Sequence, residues 1–567
     1  MQRRRFLQAL IALGFLPDTS RVASATLGDI YRFPSFGNAS ILHFTDCHAQ
    51  LTPVYYREPD NESLRALKGN QFSLLAGLDF LDFFGITPNN VQAHAFTSLN
   101  FVEAAEQYGK MGGFSYLATL VKQMRAERGE QNTVLLDGGD SWQGSATALW
   151  TQGQDMVGAS NLLAVDAMTG HWEFTYGERQ VKENLAQFQG EFLGQNVTLT
   201  EEAAFRAGIE QGPVFKPYVI KQLAKARIAV IGQAFPYTPI ANPRYLMPDW
   251  QFGIQEQKLQ QQIDEIRDGK VADAVVLLSH NGLAVDLKLA ARVSGLDVIL
   301  GGHTHHALPR PITVSNARGK TLVTNAGSHG KFLAVLDLVI KAGSVRDFRY
   351  RLVPVFSNVL AADQQMAGYI KQVRAPYLQQ LREPLAQTER LLYRRDSFGG
   401  PFDQLILLAL QQATGCQIVL SPGFRWGSSL LPGDCITVED VFNHTAITYP
   451  ETYQTTLTGG QLKALLEDVG DNLFNPDPYY QQGGDMVRVS GMHYRCHPAR
   501  KYGERISEMR LESGELIESS KHYSVAGWAT TQQQSKGLPV WSVVIDYLRQ
   551  HSGEKFSPAY QSVAVTP

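Results

Sequence analysis

Between residues 40 and 355, short apolar runs alternate with segments that carry a helical pattern of apolar positions. This alternation predicts a layered α/β or α+β core. Four apolar runs have the length of buried strands, at 40–44, 133–136, 274–278 and 298–300. Each run leads into a loop with aspartate, asparagine or histidine. Because open α/β sheets bind ligands at the carboxyl ends of their strands, we expect these loops to converge on one site.

The pattern changes after residue 360. From 361 to 395, charged residues surround apolar ones spaced three or four apart, which predicts a linker helix. Residues 396–567 carry their own helical run at 402–413, a short strand at 417–420 and glycine turn signals. A second α/β domain is therefore expected there, after a first domain at 26–360.

The first 25 residues have the order of an export signal. Arginines at 3–5 precede an apolar stretch at 9–16, which is far shorter than the roughly 20 residues that span a bilayer. Small residues at 23–25 predict cleavage after Ala25. The Arg-Arg-x-Phe-Leu order resembles a twin-arginine signal, which directs export of folded proteins. An ordinary secretory signal is the alternative, and either one predicts a periplasmic protein without a membrane anchor.

Composition excludes one class of partner. The chain of 567 residues has a formal net charge of −3, so phosphate contacts to nucleic acid are not expected. Its four cysteines, at 47, 416, 435 and 496, are too few and too scattered for a disulfide framework. One bridge would be compatible with an oxidising compartment, and Cys416 and Cys435 are the closest pair in sequence.

Five separated segments supply the candidate chemistry: Asp46-Cys47-His48, Asp140, His171, His280 and His303-Thr304-His305. Any one of these residues has an ordinary interpretation, as a hydrogen-bonded histidine or a turn aspartate. Their shared location at strand ends and in loops favours ligands instead. Aspartate and histidine together suit manganese, iron, zinc or cobalt. The sequence therefore predicts a metal centre in the first domain.

Four motifs resemble the metallophosphoesterase signature of the 5′-nucleotidase superfamily: Asp46-x-His48, Gly138-Gly139-Asp140, Ser279-His280-Asn281-Gly282 and Gly301-Gly302-His303-Thr304-His305. The resemblance extends over nearly all of the chain that follows the signal. It implies a four-layer α/β/β/α first domain and a 5′-nucleotidase-like substrate-binding second domain. It also implies two metal ions bridged by Asp140. One ion would take Asp46, His48 and His305, and the other would take His280 and His303.

One motif departs from the family pattern. Where the superfamily has Gly-Asn-His-Glu, this chain has Gly170-His171-Trp172-Glu173. The resemblance puts His171 at the ligand position and Trp172 at the catalytic histidine position. That histidine helps a poor alkoxide leaving group, whereas sulfur anions need less help because thiols ionise near a pKa of about 8.5. Alternatively, Trp172 only packs a pocket wall or marks an inactive relative.

The same variant and four further segments resemble the SoxB family of thiosulfohydrolases in bacterial sulfur oxidation: Arg57-Glu58-Pro59, 108–114, 194–197 and 421–427. The resemblance implies hydrolysis of the terminal sulfonate of a cysteine S-thiosulfonate, with release of sulfate. The partner would be the Sox sulfur-carrier protein, which bears that cysteine on a flexible arm. Two Mn²⁺ ions are implied as cofactors, although the ligand types also suit Zn²⁺ or Fe²⁺. A monomer that binds neither nucleic acid nor membrane is expected.

Three further residues are candidates near this chemistry. Arg425 would clamp an anion, since guanidinium presents a fork of donors, or it has a structural role. Asn281 would orient His280, bind substrate or shape a turn. Cys47 would be a buried spacer or a reactive thiol.

Two rival functions remain open from the sequence. An exported 5′-nucleotidase or phosphodiesterase fits the general metal signature, but Trp172 and the second domain oppose it. Where nucleotidases have a Gly-Gly-Asp-Gly-aromatic loop that stacks a base, Ser524 to Trp528 continues without one. Gly483-Gly484-Asp485 precedes the strand and is not interpreted as that loop. The other rival is an inactive scaffold that binds the carrier.

Overall fold

The computed structural model describes residues 30–59, 75–532, 535–558 and 563–566. The chain divides into residues 1–34 and a large unit, residues 35–567. The predicted export signal lies outside the described residues. Within the described ranges, no helix combines the length and apolar character needed to span a membrane.

The first part of the large unit contains two six-stranded sheets. Its strands are, in chain order, β1 (Ala39–Phe44), β2 (Thr133–Asp137), β3 (Ala167–Met168), β4 (Glu191–Phe192), β5 (Thr198–Leu199), β6 (Tyr218–Gln222), β7 (Arg227–Gln233), β8 (Trp250–Gln251), β9 (Ala274–Ser279), β10 (Val298–Gly301), β11 (Ile312–Asn316), β12 (Gly319–Asn325), β13 (Phe332–Lys341) and β14 (Ser344–Pro354). The first sheet has the order β14-β13-β1-β2-β3-β4, and the second has the order β11-β12-β10-β9-β7-β6. In both sheets the central strands are parallel, β1 with β2 and β9 with β10.

The first part also contains helices, which alternate with these strands along the chain. They are α1 (Gly77–Phe84), α2 (Val91–Phe96), α3 (Phe101–Tyr108), α4 (Phe114–Arg128), α5 (Ala146–Thr151), α6 (Gln154–Leu163), α7 (Gly177–Gln187), α8 (Glu201–Ala207), α9 (Thr238–Ala241), α10 (Glu256–Asp268) and α11 (Leu283–Arg292). Short 3₁₀ turns lie at Glu130–Asn132, Trp172–Tyr176 and Arg244–Leu246.

The two sheets pack face to face through one buried cluster, which includes Ile41 and Val134 of the first sheet and Val230 and Val276 of the second. The opposite face of the second sheet packs against α10 and α11, and α4 contacts β13 of the first sheet. Strands that are buried on both faces consist of continuous apolar runs, which explains why β1, β2, β9 and β10 could be predicted from the sequence. The α/β fold class and the four layers predicted from the sequence are confirmed.

The predicted linker helix is shorter in the structure than the predicted range of 361–395. α12 (Gln364–Arg374) begins after Asp363, whose side chain accepts a hydrogen bond from the Met366 N–H at 3.0 Å. A 3₁₀ turn, Ala375–Tyr377, follows because Pro376 has no N–H to donate. The short α13 (Leu378–Leu381) is the last helical segment. Pro384 disfavours helix at the residue before it and opens a strand instead.

The second part of the unit contains smaller sheets. Its strands are β15 (Pro384–Thr388), β16 (Ile418–Ser421), β17 (Cys435–Thr437), β18 (Thr452–Thr458), β19 (Arg488–Ser490), β20 (Met492–Cys496), β21 (Ile506–Leu511), β22 (His522–Trp528), β23 (Lys555–Phe556) and β24 (Ala564–Val565). Its helices are α14 (Pro401–Thr414), α15 (Val438–Thr445), α16 (Gly459–Phe474) and α17 (Val540–Gln550), with a 3₁₀ turn at Pro478–Tyr480. A four-stranded sheet, β18-β22-β16-β19, lies between two apolar clusters. All four cysteines are unpaired.

Candidate metal centre

Two groups of buried side chains converge where strands of both sheets end. Group A is Asp140, His171, His280 and His303, and group B is Asp46, His48, Asp140 and His305. Within each group the ligand atoms lie within 4.8 Å of one another. Asp140 belongs to both groups. The structure therefore brings together all seven residues that the sequence analysis singled out, and their binding of metal stays a prediction.

The strands explain this convergence. β1 leads to Asp46 and the adjacent parallel strand β2 leads to Asp140. In the second sheet, β9 leads to His280 and the adjacent β10 leads to His303. Because the two sheets face each other, their strand ends form one edge, and the four loops meet there.

Backbone conformation in these loops is unusual. Five of the seven residues have a positive φ, namely Asp46 (52°), His48 (45°), Asp140 (57°), His303 (70°) and His305 (59°). Such a conformation costs a non-glycine residue about 1–3 kcal/mol and persists only where the surroundings enforce it. Hydrogen bonds between the loops do so: the His48 N–H donates to the Asp140 carbonyl at 2.8 Å, and the His303 N–H donates to Asp46 Oδ1 at 3.0 Å.

The distances between donor atoms fit metal coordination. In group A, Asp140 Oδ2 lies 3.0 Å from His280 Nε2 and 3.3 Å from His171 Nδ1. In group B, His305 Nε2 lies 3.0 Å from His48 Nε2 and 3.3 Å from Asp46 Oδ1. Two imidazole nitrogens that face each other across 3.0 Å cannot both offer a lone pair unless a cation lies near them. The residues present thus fit divalent metal ions, and no identity or number of ions follows from the geometry.

Electrostatics agree with this fit. Burial alone would raise the pKa of Asp140, but the charges of His280 and His171 hold it well below its usual range. Burial lowers the pKa of His280, yet the charges of Asp140 and Asp46 raise it to about 10. Burial also lowers the pKa of His48 to about 4, so that its imidazole is neutral. The carboxylates of Asp46 and Asp140 thus favour a positive charge at this site. A bound divalent cation would provide that charge and leave the imidazoles neutral.

Glu173 holds the two loops of group A together. Its Oε1 accepts hydrogen bonds from the N–H groups of Ser141 at 2.7 Å and Trp142 at 3.2 Å. Its Oε2 accepts from the N–H groups of His171 at 2.9 Å and Asp140 at 3.2 Å. The side chain is fully buried. One carboxylate therefore fixes the backbone on both sides of the shared ligand, a role that the sequence analysis did not assign to it.

Trp172 packs into an aromatic wall. Its ring centroid lies 4.8 Å from that of His171, 5.1 Å from Trp426 and 5.5 Å from Phe424. The Trp172 side chain is 7% exposed. Its backbone N–H donates to Asp140 Oδ1 at 2.7 Å. The residue at the predicted catalytic position thus borders group A, but its indole offers no acid.

Asn281 lies outside both ligand groups. Its Oδ1 accepts a hydrogen bond from Gln233 Nε2 at 3.1 Å, and its Nδ2 donates to Asp286 Oδ1 at 3.1 Å. These contacts position the loop that carries His280. They favour the loop-positioning interpretation of Asn281 over direct contact with substrate.

Arg425 reaches the site from the second part of the chain. Its NH1 donates to the His303 carbonyl at 3.3 Å, its NH2 donates to the Gly484 carbonyl at 2.6 Å, and its Nε donates to Asp485 Oδ1 at 3.3 Å. These bonds use three of the five N–H groups of a guanidinium. The structural role considered for Arg425 is therefore observed, and its role as an anion clamp stays a prediction.

Cys47 is fully buried between Asp46 and His48. Burial raises the pKa of its thiol well above the usual range, and the charges of Asp137 and Asp46 raise it further. Because the thiolate is the reactive form, this environment favours the spacer interpretation.

Residues of two further loops border the site and were missed by sequence reasoning. Gly483 lies against His303, in the Gly-Gly-Asp segment that the sequence analysis set aside. His329 lies in the loop after β12, where its ring centroid is 5.6 Å from that of His48. β12 pairs in parallel with β10, so its following loop reaches the same edge. A prediction of β12 as a strand would have identified His329.

Comparison with known proteins identifies the relatives of this chain. Residues 385–542 match the family model of the 5′-nucleotidase C-terminal domain. The structure superimposes on sulfate thiohydrolase SoxB from Thermus thermophilus with a TM-score of 0.86 and 34% identity, over 94% of this chain and 98% of that one. It also superimposes on a 5′-nucleotidase precursor of Thermus thermophilus with a TM-score of 0.72 and 20% identity, which shows a shared fold over 93% of this chain and 99% of that one.

Curated relatives by sequence are phosphoesterases. The trifunctional nucleotide phosphoesterase YfkN of Bacillus subtilis is 25% identical over 435 residues, or 70% of this chain and 29% of that protein. Bovine 5′-nucleotidase is 28% identical over 245 residues, or 40% of this chain and 41% of that protein. This chain thus spans less than half of the length of these two relatives. The protein is a hydrolase of the 5′-nucleotidase and phosphoesterase superfamily. Its sequence identity of 34% with the Thermus thermophilus enzyme, over nearly the whole of both chains, shows that it belongs to the SoxB family.

Proposed function

We propose that this protein is a thiosulfohydrolase, which hydrolyses the terminal sulfonate of a cysteine S-thiosulfonate and releases sulfate. The observation that carries the proposal is Trp172, an aromatic residue packed beside His171 where the superfamily pattern has a catalytic histidine. A site without that acid suits a leaving group that needs no proton. Membership in the SoxB family supports the same reaction class.

The reaction breaks the sulfur–sulfur bond next to the sulfonate. Water supplies the oxygen of the new S–O bond, sulfate leaves with two protons released, and the carrier cysteine keeps a persulfide anion that holds the electron pair of the broken bond. Divalent cations held by groups A and B would supply Lewis acidity and acidify a water molecule at neutral pH. The low basicity of a persulfide anion explains why the acid can be absent.

The residues around the groups have separate tasks in this proposal. Glu173 and the loop hydrogen bonds keep the donor atoms in place before substrate arrives. Arg425, which is bonded to the His303 loop, adds a positive charge beside group A. Trp172, Trp426 and Phe424 form an apolar wall, with centroids of Trp426 and Phe424 4.2 Å apart. Such a wall suits the soft sulfur atoms of the substrate arm and excludes water from it.

The proposal extends to cofactor, location and partner. We propose two Mn²⁺ ions as the cofactors, the periplasm as the location after export by the twin-arginine route, and the Sox sulfur-carrier protein as the partner. The arginine order of the first residues and the family resemblance support these assignments.

A second candidate is a 5′-nucleotidase or phosphodiesterase. The observation that favours it is the match of residues 385–542 to the 5′-nucleotidase C-terminal domain, together with the curated relatives. Against it, Trp528 at the end of β22 is 2% exposed and donates a hydrogen bond from its indole to Ser421 Oγ at 2.9 Å. This aromatic residue is held within the core instead of being presented to a base.

Sulfate release and AMP hydrolysis, measured in parallel, test the proposal. The manganese-loaded protein is given a carrier that bears cysteine S-thiosulfonate, and sulfate is quantified by ion chromatography. We expect sulfate release that is lost in His171→Ala and kept in His497→Ala, a change at a histidine in the hairpin of β20 and β21, outside the metal-ligand groups. Brisk AMP hydrolysis without sulfate release would overturn the proposal in favour of the nucleotidase.

A further inference from the structure

The phenyl ring of Phe235 lies between two imidazoles of group A. Its centroid is 4.1 Å from that of His171 and 4.1 Å from that of His303. The ring makes an angle of 26° with the His303 imidazole and 44° with the His171 imidazole. Phe235 is 2% exposed. Because His171 follows a strand of the first sheet and His303 follows a strand of the second, one buried ring contacts ligand loops of both sheets.

Hydrogen bonds do not explain how these two imidazoles are oriented. A metal-ligating histidine usually donates its other ring N–H to a carboxylate, a carbonyl or water, which fixes the plane of the ring. His280 follows this rule, since its Nδ1 lies 2.6 Å from a backbone carbonyl oxygen. The Nδ1 of His171 lies 3.3 Å from Asp140, itself a predicted ligand. Among the described residues, no hydrogen-bond partner reaches the buried Nε2 of His171 or of His303. Stacking on Phe235 is the contact that these two rings share.

Asn196 fixes the backbone next to Phe235. Its Oδ1 accepts a hydrogen bond from the Ala234 N–H at 2.8 Å, and its Nδ2 donates to the Ala234 carbonyl at 2.8 Å. The Asn196 side chain is fully buried. On the other side, the Phe235 N–H donates to the Gly170 carbonyl at 3.1 Å. The backbone that carries the phenyl ring is therefore tied to the residue before His171.

Gln195 extends this support to the loop that carries His280. Its Nε2 donates to Gln233 Oε1 at 2.7 Å, and Gln233 Nε2 donates to Asn281 Oδ1 at 3.1 Å. Both glutamines are fully buried. Gln195 belongs to segment 194–197, whose role was not apparent from its sequence. In the structure this segment supports the loops of group A from behind.

We propose that Phe235 is a positioning residue of group A, which sets the ring planes of His171 and His303, and that Asn196 holds Phe235 in place. The inference rests on the proposed function only in that groups A and B each bind a divalent ion. Among the described residues, the histidines that the Phe235 ring contacts all belong to group A, with His280 the most distant at 6.5 Å. The ion of group A therefore depends on Phe235, and the ion of group B does not.

Titration of the metal-free protein with Mn²⁺, in competition with a fluorescent chelator, tests the role of Phe235. Phe235→Leu removes the flat ring. We expect the affinity for one ion to fall about 10- to 100-fold, the loss typical of outer partners of metal ligands, and the affinity for the other ion to stay unchanged. Phe235→Met, which fills a similar volume without a flat ring, replaces Phe235→Leu should the latter fail to fold by circular dichroism.

The visible absorption of the Co²⁺-loaded protein gives a second readout, because the shape of the band depends on coordination geometry. We expect the band to change in Phe235→Leu. Phe402→Leu is the matched control for both readouts. Phe402 is also fully buried and stacks on a histidine, His444, at 3.6 Å, but His444 belongs to neither ligand group. We expect Phe402→Leu to keep both metal affinities and the Co²⁺ spectrum.

Asn196→Ala tests the support of Phe235 and is expected to weaken the same ion. Its control is Asn184→Ala, which removes another fully buried asparagine that donates to one backbone carbonyl and accepts from Gln180. We expect Asn184→Ala to bind both ions normally. Equal metal binding by the two asparagine variants would overturn the role of Asn196.

Unchanged metal affinity and an unchanged Co²⁺ spectrum in Phe235→Leu would overturn the inference. An equal loss of both ions, or a loss that Phe402→Leu shares, would also overturn it, because either result indicates a general effect on the fold. Failure of the proposed function is distinguishable, since neither readout uses turnover. AMP hydrolysis without sulfate release would reject the thiosulfohydrolase, and the metal titrations would still decide the role of Phe235.

Discussion

Gly483 lies directly against the imidazole of His303, although the two residues belong to different parts of the chain. A Cβ built on Gly483 would overlap His303 Nε2, and the Gly483 φ of +78° disfavours any side chain there. The neighbouring Gly484 has the same φ of 78° and offers its carbonyl to Arg425. The second part of the chain therefore contributes a wall of the candidate metal centre.

Gly483→Ala tests this close approach. The added methyl group must displace either His303 or the loop, so we expect hydrolytic activity to fall at least tenfold and metal affinity to fall with it. Gly503→Ala is the control, since Gly503 has a φ of +86° but no atom within 4 Å of its Cβ position. Gly503→Ala therefore introduces a similar backbone strain, but its added methyl group does not overlap another residue. Equal activities of the two variants would show that the approach of Gly483 to His303 does not matter for the site.

Asp140 is the shared member of groups A and B, and this predicts a difference in metal stoichiometry between variants. If groups A and B each hold one ion, as proposed, we expect Asp140→Ala to lose both ions, whereas His305→Ala and His171→Ala each lose one, because each of them removes a ligand from one group only. Metal content of the purified variants, measured by inductively coupled plasma mass spectrometry, checks this. Full retention of one ion by Asp140→Ala would contradict a bridging role for Asp140.

The sequence predicted which side chains cluster at the candidate metal centre better than it predicted the surrounding walls. Asp46, Asp140, His280 and His303 follow strands that are buried on both faces, whose apolar runs are conspicuous. His329 follows β12, whose first two residues, Gly319 and Lys320, are exposed and not apolar, so the sequence pattern of that strand is not clear. Contacts such as Gly483 with His303, or Arg395 with Asp485, join distant segments. These contacts depend on how the two parts of the chain pack together. The pattern of apolar and polar residues within one segment does not predict that packing.

Glu173→Gln tests the clamp on the loops of group A. A glutamine keeps the size of the side chain, but its NH₂ group cannot accept the two N–H hydrogen bonds that one of the carboxylate oxygens accepts. Outer partners of metal ligands typically contribute about 10- to 100-fold in metal affinity, and we expect a loss in that range. Competition with a fluorescent chelator measures it.

Glu183→Gln on α7 serves as the control for that change, because its side chain is 49% exposed and, among the described residues, forms an ion pair with Arg179 at 3.9 Å. We expect its metal affinity to equal that of the unmodified protein. If Glu173→Gln also binds metal normally, the backbone of the loops must be held by their other hydrogen bonds alone.

Asp155 predicts a pH dependence of stability that is unrelated to the metal centre. Burial raises the pKa of this carboxyl group in α6 from 3.8 to about 6, against the lowering effect of hydrogen bonds from Thr147, Thr151 and the Met156 N–H. The folded state therefore binds more protons than the unfolded state between about pH 4 and pH 6, and stability falls as pH rises through that window. A pKa shift of about two units lowers the free energy of unfolding by roughly 3 kcal/mol, and this loss is complete above about pH 6.

Asp155→Asn removes this titration, so we expect the variant to gain stability relative to the unmodified protein as pH rises from 4.5 to 7.5. Urea unfolding followed by circular dichroism at several pH values gives the difference in the free energy of unfolding, in which other titrating groups cancel. Asp546→Asn is the control for the removal of one carboxylate, because Asp546 lies on α17 with 59% of its side chain exposed. Parallel curves for Asp155→Asn and the unmodified protein would mean that Asp155 is ionised in the fold at pH 4.5 and that burial does not control its pKa.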